Sequence, residues 1–290
     1  MLNNRDARLD NPTSKLAAIT FDDGYKSVLT NAAPLLKRHD LPFTVFVNPS
    51  LVGSKGYLTW QELALLQKQG AIIANHTLSH PHLIRQNSGE SEADWLLRVD
   101  SEVRRAEEII LDKLGVSVKQ LAYPYGEYNS AIETLLAKAG YSAFAQHSGA
   151  VGIYSQLQAI PRFPFGGRYA ENDSFIDKFN SLPMPLLGVV ASSEFGSPLI
   201  DPLLPAGVEK PTLTLTLSQP LQLTCFATGQ GAIPVAYPAQ TQAVAQAGST
   251  LPVGRSRYNC TAASTVPGRF YWYSHPFFRL RADGSWYNEY

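Results

Sequence analysis

Two clusters of side chains in the sequence are capable of metal and acid–base chemistry. Asp22 and Asp23 follow an apolar run and precede Gly24, while His76 and His80 lie four residues apart later in the chain. A single helical turn would place both imidazoles on one side. Neutral imidazole binds zinc and other transition metals, and a nearby carboxylate completes a three-ligand set with open positions for water and substrate. Asp-Asp-Gly is also ordinary turn chemistry, but the combination favours a metal site.

Short apolar segments precede both clusters, and we predict them to be β-strands at residues 16–21 and 71–74. The carboxyl ends of parallel strands meet at one edge of a sheet, where α/β proteins build their sites. Capping-box patterns begin at Thr59 and Ser130. Further strands and helices alternate along this part of the chain and imply a parallel sheet or barrel: strands 42–47 and 119–123, and helices 28–38, 59–69, 92–114 and 130–139.

The pattern changes after about residue 185. A proline-punctuated stretch is followed by a strict two-residue alternation of Thr and Leu at 212–217. Such alternation is typical of strands buried on one face, and the Gly and Pro turns that follow favour a small all-β sandwich. We therefore predict a first domain at 1–190, a linker at 191–211 and a sandwich domain at 212–290. We expect the many aromatic residues near the end of the chain to fill the core of this domain rather than to bind sugars.

The two cysteines, Cys225 and Cys260, both fall in the predicted sandwich. They either form a disulfide, which would place the protein outside the reducing cytoplasm, or remain buried free thiols. The N-terminal residues lack the apolar core of a signal peptide. The chain is thus either cytoplasmic or begins after a removed export signal.

Composition excludes several classes of function. Of the 290 residues, 44% are hydrophobic and 17% are charged, and the formal net charge is zero. This is a globular composition without the basic excess that attracts nucleic acid or an anionic membrane. No apolar stretch approaches the roughly 20 residues of a transmembrane helix. A neutral substrate fits this chain better.

Three motifs in this order resemble the NodB-homology polysaccharide deacetylases, carbohydrate esterase family four: TFDDG at 20–24, HTLSH at 76–80 and YPYG at 123–126. The resemblance covers roughly residues 15–185. Two later segments, QHSG at 146–149 and IPRFP at 160–164, are similar to the exported subgroup that de-N-acetylates poly-N-acetylglucosamine.

The resemblance implies a distorted (β/α) barrel of about seven strands and a metal-dependent hydrolase of N-acetyl, sometimes O-acetyl, groups on sugars. Carried over by position, Asp23, His76 and His80 would bind the metal, most often zinc, with cobalt or nickel as alternatives. Asp22 would be the general base. Tyr125 would form part of the groove wall and donate its backbone N–H to the oxyanion.

Pro124, directly before Tyr125, would aim that N–H. The chain departs from the family pattern in two places. Ala122 stands where many members have an arginine that orients the base, and Arg162 is the candidate replacement. The usual acid histidine is missing before residue 190, so His147 is the candidate general acid and His275 a weaker one.

The sequence therefore predicts a periplasmic or secreted deacetylase that acts on a polysaccharide or oligosaccharide containing N-acetylglucosamine. Two alternatives stay open: an O-acetyl esterase on xylan-like glycans, and an inactive carbohydrate-binding or matrix protein. No nucleic-acid partner and no transmembrane segment are expected.

Overall fold

A computed structural model of the chain describes residues 15–153, 155–166 and 172–288. These residues divide into two compact units. The parallel-sheet unit contains Leu16–Ala145 and Gln156–Ile160, and the antiparallel unit contains the remaining described residues.

In the parallel-sheet unit, five strands form one parallel sheet in chain order: β1 (Ile19–Phe21), β2 (Phe43–Val47), β3 (Ile72–Asn75), β4 (Gln120–Ala122) and β5 (Ser142–Phe144). Four helices connect them: α1 (Ala33–Arg38), α2 (Trp60–Lys68), α3 (Glu92–Leu114) and α4 (Ser130–Lys138). The predicted alternation of strands and helices is confirmed. Among the described residues, five strands form the parallel sheet, which is fewer than the about seven strands of the predicted barrel.

Helix starts follow local capping chemistry. Thr59 and Glu62 form the predicted capping box of α2, in which each side chain accepts a hydrogen bond from the other residue's backbone N–H. The second predicted capping box is wrong, because Asn129 rather than Ser130 caps α4 and accepts from the backbone N–H of Ile132. The helix predicted at 28–38 begins instead as a π-helical turn, Val28–Ala32, before α1.

Helix α3 covers the sheet with a stripe of buried side chains at helical spacing: Trp95, Val99, Val103, Ala106 and Ile110. Its bounds match the prediction. Ser91 caps the first turn, and Gly115 ends the helix with a φ of 71°, a left-handed conformation that glycine adopts at low cost. The long helix is thereby fixed at both ends and against the sheet.

Two further five-stranded sheets build the antiparallel unit. One has the order β11-β10-β14-β15-β6 and the other the order β12-β13-β9-β7-β8. The strands are β6 (Ser181–Pro183), β7 (Leu186–Ser192), β8 (Pro198–Leu199), β9 (Thr212–Leu217), β10 (Thr224–Ala227), β11 (Gly231–Ile233), β12 (Val235–Ala239), β13 (Gln242–Gln246), β14 (Gly254–Ala263) and β15 (Phe270–Arg279); helix α5 (Asn172–Phe179) precedes them.

The predicted alternation in β9 is confirmed, with Leu213, Leu215 and Leu217 buried and the threonines between them partly exposed. These leucines share one core with buried residues of the other sheet, among them Phe277 of β15. Phe277 thus lies in the core with Tyr271 and Tyr273 packed against it, as predicted for these three residues. Cys225 and Cys260 stand opposite each other on β10 and β14 and form a disulfide bond.

The division of the chain differs from the predicted boundaries at 190 and 211. Strands β6 and β7 lie before residue 193, yet they pair with β15 and β9 of the antiparallel unit. The predicted linker also contains β8, which pairs with β7. Backbone pairing with distant strands decides where these proline-punctuated segments belong, and a local pattern does not reveal it. No helix among the described residues is long and apolar enough to cross a membrane.

Candidate metal centre and active site

Asp23, His76 and His80 converge at the carboxyl ends of β1 and β3. The Oδ1 atom of Asp23 lies 3.4 Å from Nε2 of His76 and 3.4 Å from Nε2 of His80. All three potential ligand atoms lie within 4.8 Å of one another. The structure therefore brings together the three residues that the sequence singled out as a metal-ligand set.

The two separations from the Asp23 carboxylate fit a tetrahedral ion. Ligands about 2.1 Å from zinc at tetrahedral angles are about 3.4 Å apart. The observed 3.4 Å separations match that value and exceed the length of an ordinary N–H···O hydrogen bond. One carboxylate and two imidazoles leave one position of a four-coordinate ion open.

The chain holds both histidine rings in a form that can bind a metal. Nδ1 of His76 lies 2.8 Å from the backbone oxygen of Ala122. Since a carbonyl oxygen can only accept, Nδ1 carries the hydrogen, which leaves Nε2, on the Asp23 side, as the nitrogen that can bind a metal. Burial, and to a smaller extent His76, lower the pKa of His80, which favours its neutral, metal-binding form.

Strained backbone marks this site. Six described non-glycine residues have φ in the left-handed region, and four of them are Asp23 (70°), Thr77 (68°), His80 (61°) and Tyr125 (60°). Each such conformation costs about 1–3 kcal/mol and persists only where the surroundings enforce it. For β-branched Thr77 the conformation is a genuine outlier. The concentration of strain on the ligand loops is typical of a functional site.

Polar side chains hold the histidine loop in this conformation. Asn48, which directly follows β2, donates from its side chain to the backbone oxygens of His76 and Thr77. Glu102 of α3 accepts from both the backbone N–H and the hydroxyl of Ser79, at 2.9 and 3.0 Å. The backbone N–H of His80 donates to the Thr77 hydroxyl at 3.1 Å. The loop is therefore anchored to a neighbouring strand end and to a helix.

Tyr125 lies beside the ligand set. It belongs to the short 3-10 turn Pro124–Gly126 after β4, and its ring contacts the His80 ring edge-on, with centroids 4.6 Å apart. Its other neighbour is His82, which stacks on it at 3.7 Å with an interplanar angle of 10°. Nδ1 of His82 lies 2.8 Å from the fully buried carboxylate of Glu127. A buried charge thus supports the aromatic wall of the site.

Asp22 and Tyr25 interact electrostatically with the ligand set. Asp22, the candidate base, is close enough that its charge counteracts the lowering of the His80 pKa. The negative charge of Asp23, followed by hydrogen bonding to Tyr57, raises the pKa of Tyr25 to about 12. Tyr25 therefore stays a protonated phenol next to the ligand set.

His147 and Arg162, the candidate acid and the candidate partner of the base, belong to the antiparallel unit. The backbone N–H of Arg162 donates to the backbone oxygen of His147 at 3.0 Å. Burial, then His275 and Arg257, lower the pKa of His147 to about 3. Burial lowers the pKa of His275, which contacts the Tyr273 hydroxyl at 3.1 Å, to about 4. Both rings are neutral at pH 7.

Sequence reasoning missed Asn48, Glu102 and Glu127. Asn48 directly follows a predicted strand, and Glu127 directly follows the YPYG motif. These positions could have marked both residues as candidates for the site. Glu102 lies within a long helix among other charged residues, and nothing local distinguishes it. His82 packs against Tyr125 of the neighbouring loop.

In a comparison with known protein families, residues 10–144 match the polysaccharide deacetylase family. The poly-β-1,6-N-acetyl-D-glucosamine N-deacetylase of Escherichia coli K12 is 25% identical over 183 residues, covering 51% of this chain and 27% of that protein. The enzyme of the same name from Staphylococcus aureus MRSA252 is 27% identical over 151 residues, covering 50% of this chain and 52% of its own. The chain spans about half of the length of these curated relatives or less.

Among solved structures, the Streptococcus pyogenes deacetylase PplD in complex with acetate is similar to this chain with a TM-score of 0.47 and 24% identity. The similarity covers 54% of this chain and 68% of that one. The family match ends at residue 144, next to Ala145, where the first segment of the parallel-sheet unit ends. Asp23, His76, His80 and Tyr125 all lie inside it. Over residues 10–144, slightly less than half of its length, this chain thus matches the polysaccharide deacetylase family.

Proposed function

We propose that the protein is a metal-dependent deacetylase that hydrolyses N-acetyl groups of a polysaccharide containing N-acetylglucosamine. The observation that carries the proposal is the convergence of Asp23, His76 and His80 within the matched family region. The names of the two relatives support poly-β-1,6-N-acetylglucosamine as the substrate class. The near-zero net charge agrees with a neutral glycan.

Asp23, His76 and His80 would hold a divalent ion, most suitably zinc, with cobalt or nickel as alternatives. When bound, such an ion supplies a Lewis acid for the acetyl carbonyl and lowers the pKa of bound water. Asp22, which is not needed as a ligand, accepts the proton of the attacking water on its carboxylate. Two adjacent carboxylates thereby have different tasks.

Tyr125 donates its backbone N–H to the developing oxyanion, and the fixed φ of Pro124 helps to aim this group. One donor of this kind typically lowers the barrier by about 3 kcal/mol. The support for this role is the left-handed conformation of Tyr125 and the contact of its ring with His80. Stacking on His82 restricts the ring from the other side.

Protonation of the leaving amine is assigned to His147, and orientation of the base to Arg162. Both assignments rest on the resemblance. The pKa of about 3 argues against His147 as a resting acid, because a neutral imidazole first has to acquire the proton that it donates. His147→Ala tests the role directly: a strong loss of acetate release at unchanged metal content supports it, and normal release contradicts it.

The finer architecture and the location are also proposals. We infer that the parallel sheet is part of a distorted barrel of about seven strands and that the two other sheets form a sandwich, supported by their shared core. We also infer a periplasmic or secreted location, supported by the disulfide between Cys225 and Cys260. No observation favours the O-acetyl esterase or the inactive alternative.

The function is tested by acetate release from β-1,6- and β-1,4-linked N-acetylglucosamine oligomers with added zinc or cobalt. We expect release with a preference for the β-1,6 linkage. Asp22→Asn should abolish release while one ion stays bound per chain, whereas His76→Ala should lose both ion and activity. Asp112→Asn, at a side chain that is 71% exposed, is the matched control and should behave as the wild type. A fully active His76→Ala protein would contradict the proposal.

A further inference from the structure

Tyr25 and Tyr57 form a stacked pair of rings beside the ligand set. Their centroids are 5.1 Å apart and their planes differ by 26°. Tyr25 follows the ligand Asp23 by two residues, and its side chain is 46% exposed even though one face packs on Tyr57. A large part of a flat, amphipathic ring therefore faces solvent next to the candidate active site.

The main chain holds this pair in place. Tyr25 and Tyr57 form an antiparallel β-bridge. On either side of it, Lys26 donates its backbone N–H to Gly56 at 2.8 Å, and Leu58 donates to Gly24 at 2.9 Å. The exposed ring is thus fixed by two loops at once.

A side-chain ion pair adds to this support. Nζ of Lys26 lies 3.0 Å from Oε1 of Glu62. Glu62 is also a member of the capping box of α2, so the loop that carries Tyr25 is tied to the first turn of a helix. An ordered aromatic ring loses little further conformational entropy when a ligand stacks on it.

The arrangement is unlike that of a core aromatic. A tyrosine that only completes packing is buried, as Tyr123 and Tyr258 are in this chain. The exposed ring of Tyr25 offers an apolar face bordered by a hydroxyl, which matches a pyranose ring with its C–H face and polar rim. Recognition of this kind needs no charge on the ligand.

We propose that Tyr25, backed by Tyr57, is a stacking subsite for a sugar ring next to the residue whose acetyl group reaches Asp23, His76 and His80. The inference rests on the proposed function and deepens it, since it assigns a second sugar-binding position. Longer oligomers then gain affinity from Tyr25, and a single N-acetylglucosamine unit gains none.

The test measures binding without turnover. In the zinc-loaded Asp22→Asn protein, calorimetry compares a β-1,6-linked N-acetylglucosamine pentamer with the monosaccharide, and the Tyr25→Ala and Tyr25→Phe changes are added to this background. We expect Tyr25→Ala to weaken pentamer binding about 3- to 10-fold and to leave monosaccharide binding unchanged. Tyr25→Phe keeps the ring and should remain within about 2-fold of the parent. Phe226→Ala, at an aromatic residue with 41% exposure in the antiparallel unit, is the matched control and should change neither.

Two results would overturn the subsite. Pentamer binding that is unaffected by Tyr25→Ala removes it directly. Equal losses in Tyr25→Phe and Tyr25→Ala, together with a fall in zinc content, would mean that the hydroxyl positions Asp23 and that the ring does not bind sugar. Acetate release by the wild-type protein, measured in parallel, separates the two proposals. If acetate is released but Tyr25→Ala leaves pentamer binding unchanged, only the subsite is refuted. If no acetate is released and the Asp22→Asn protein does not bind the pentamer, both proposals are refuted.

Discussion

The pair formed by His82 and Glu127 predicts how removal of each partner affects stability. The Glu127 side chain is 0% exposed, and its carboxylate lies 2.8 Å from Nδ1 of His82 and 3.9 Å from Nη2 of Arg85. The His82 and Arg85 side chains are 17% and 20% exposed, but the Nε and Nη2 atoms of Arg85 are buried like the carboxylate itself. The two deletions should therefore have unequal costs.

His82→Ala takes a partner away from a fully buried carboxylate, a change that costs about 3–5 kcal/mol. It also removes the ring that stacks on Tyr125, worth about 0.5–1.5 kcal/mol. Glu127→Gln keeps the shape and an acceptor oxygen beside His82 and Arg85 and removes only the negative charge, so we expect about 1.5–3 kcal/mol. In the double variant, the loss caused by His82→Ala should become smaller, because no buried carboxylate then loses its partner.

Urea unfolding of the single and double variants measures these differences. The control is Arg104→Ala, which breaks an ion pair of similar length, 2.7 Å to Glu108, between side chains that are each 57% exposed. We expect that change to cost less than either single change at the buried pair. The reasoning would be refuted if His82→Ala cost no more than Arg104→Ala, or if Glu127→Gln failed to reduce its effect.

Three further outcomes are expected. Reduction of the disulfide between Cys225 and Cys260, which are 35 residues apart, should lower the unfolding free energy by about 4 kcal/mol in the chain-entropy account, and urea midpoints with and without reductant that differ negligibly would contradict it. The pKa values of His147 and His275 are lowered to about 3 and about 4, so only the unfolded chain binds these protons between pH 6.5 and 4. The free energy of unfolding should be highest above pH 6.5 and fall below it by up to about 1.4 kcal/mol per pH unit per histidine. The change His275→Gln should flatten this pH dependence. Asn48→Ala removes donors to two backbone oxygens of the ligand loop and should weaken zinc binding about 10-fold in a chelator competition, whereas unchanged affinity would show that the strained loop holds without them.

Local sequence pattern was sufficient for elements whose causes are local. The capping box at Thr59, the full length of α3 and the alternating burial of β9 depend on neighbouring residues, and the structure has all of them. The ligand set was also predictable, because Asp23, His76 and His80 follow apolar strands whose parallel pairing brings their ends together.

Only the tertiary structure decided how the site is supported. The side chains of Asn48 and Glu102 and the buried Glu127 act on residues that are distant in sequence or on another loop, so no periodicity announces them. The left-handed backbone of Asp23 and Tyr125 is likewise unfavourable for the residues themselves and is imposed by their surroundings.

The division of the chain has the same explanation. The segments that form β6 and β7 look like the end of one domain and the start of a linker, yet hydrogen bonds to β15 and β9 place them in the antiparallel unit. Local propensity states which conformation a segment favours, whereas the partner that satisfies its backbone groups is found only in the folded chain. The sequence alone therefore determined the set of potential metal ligands, and tertiary contacts determined what holds these residues in place.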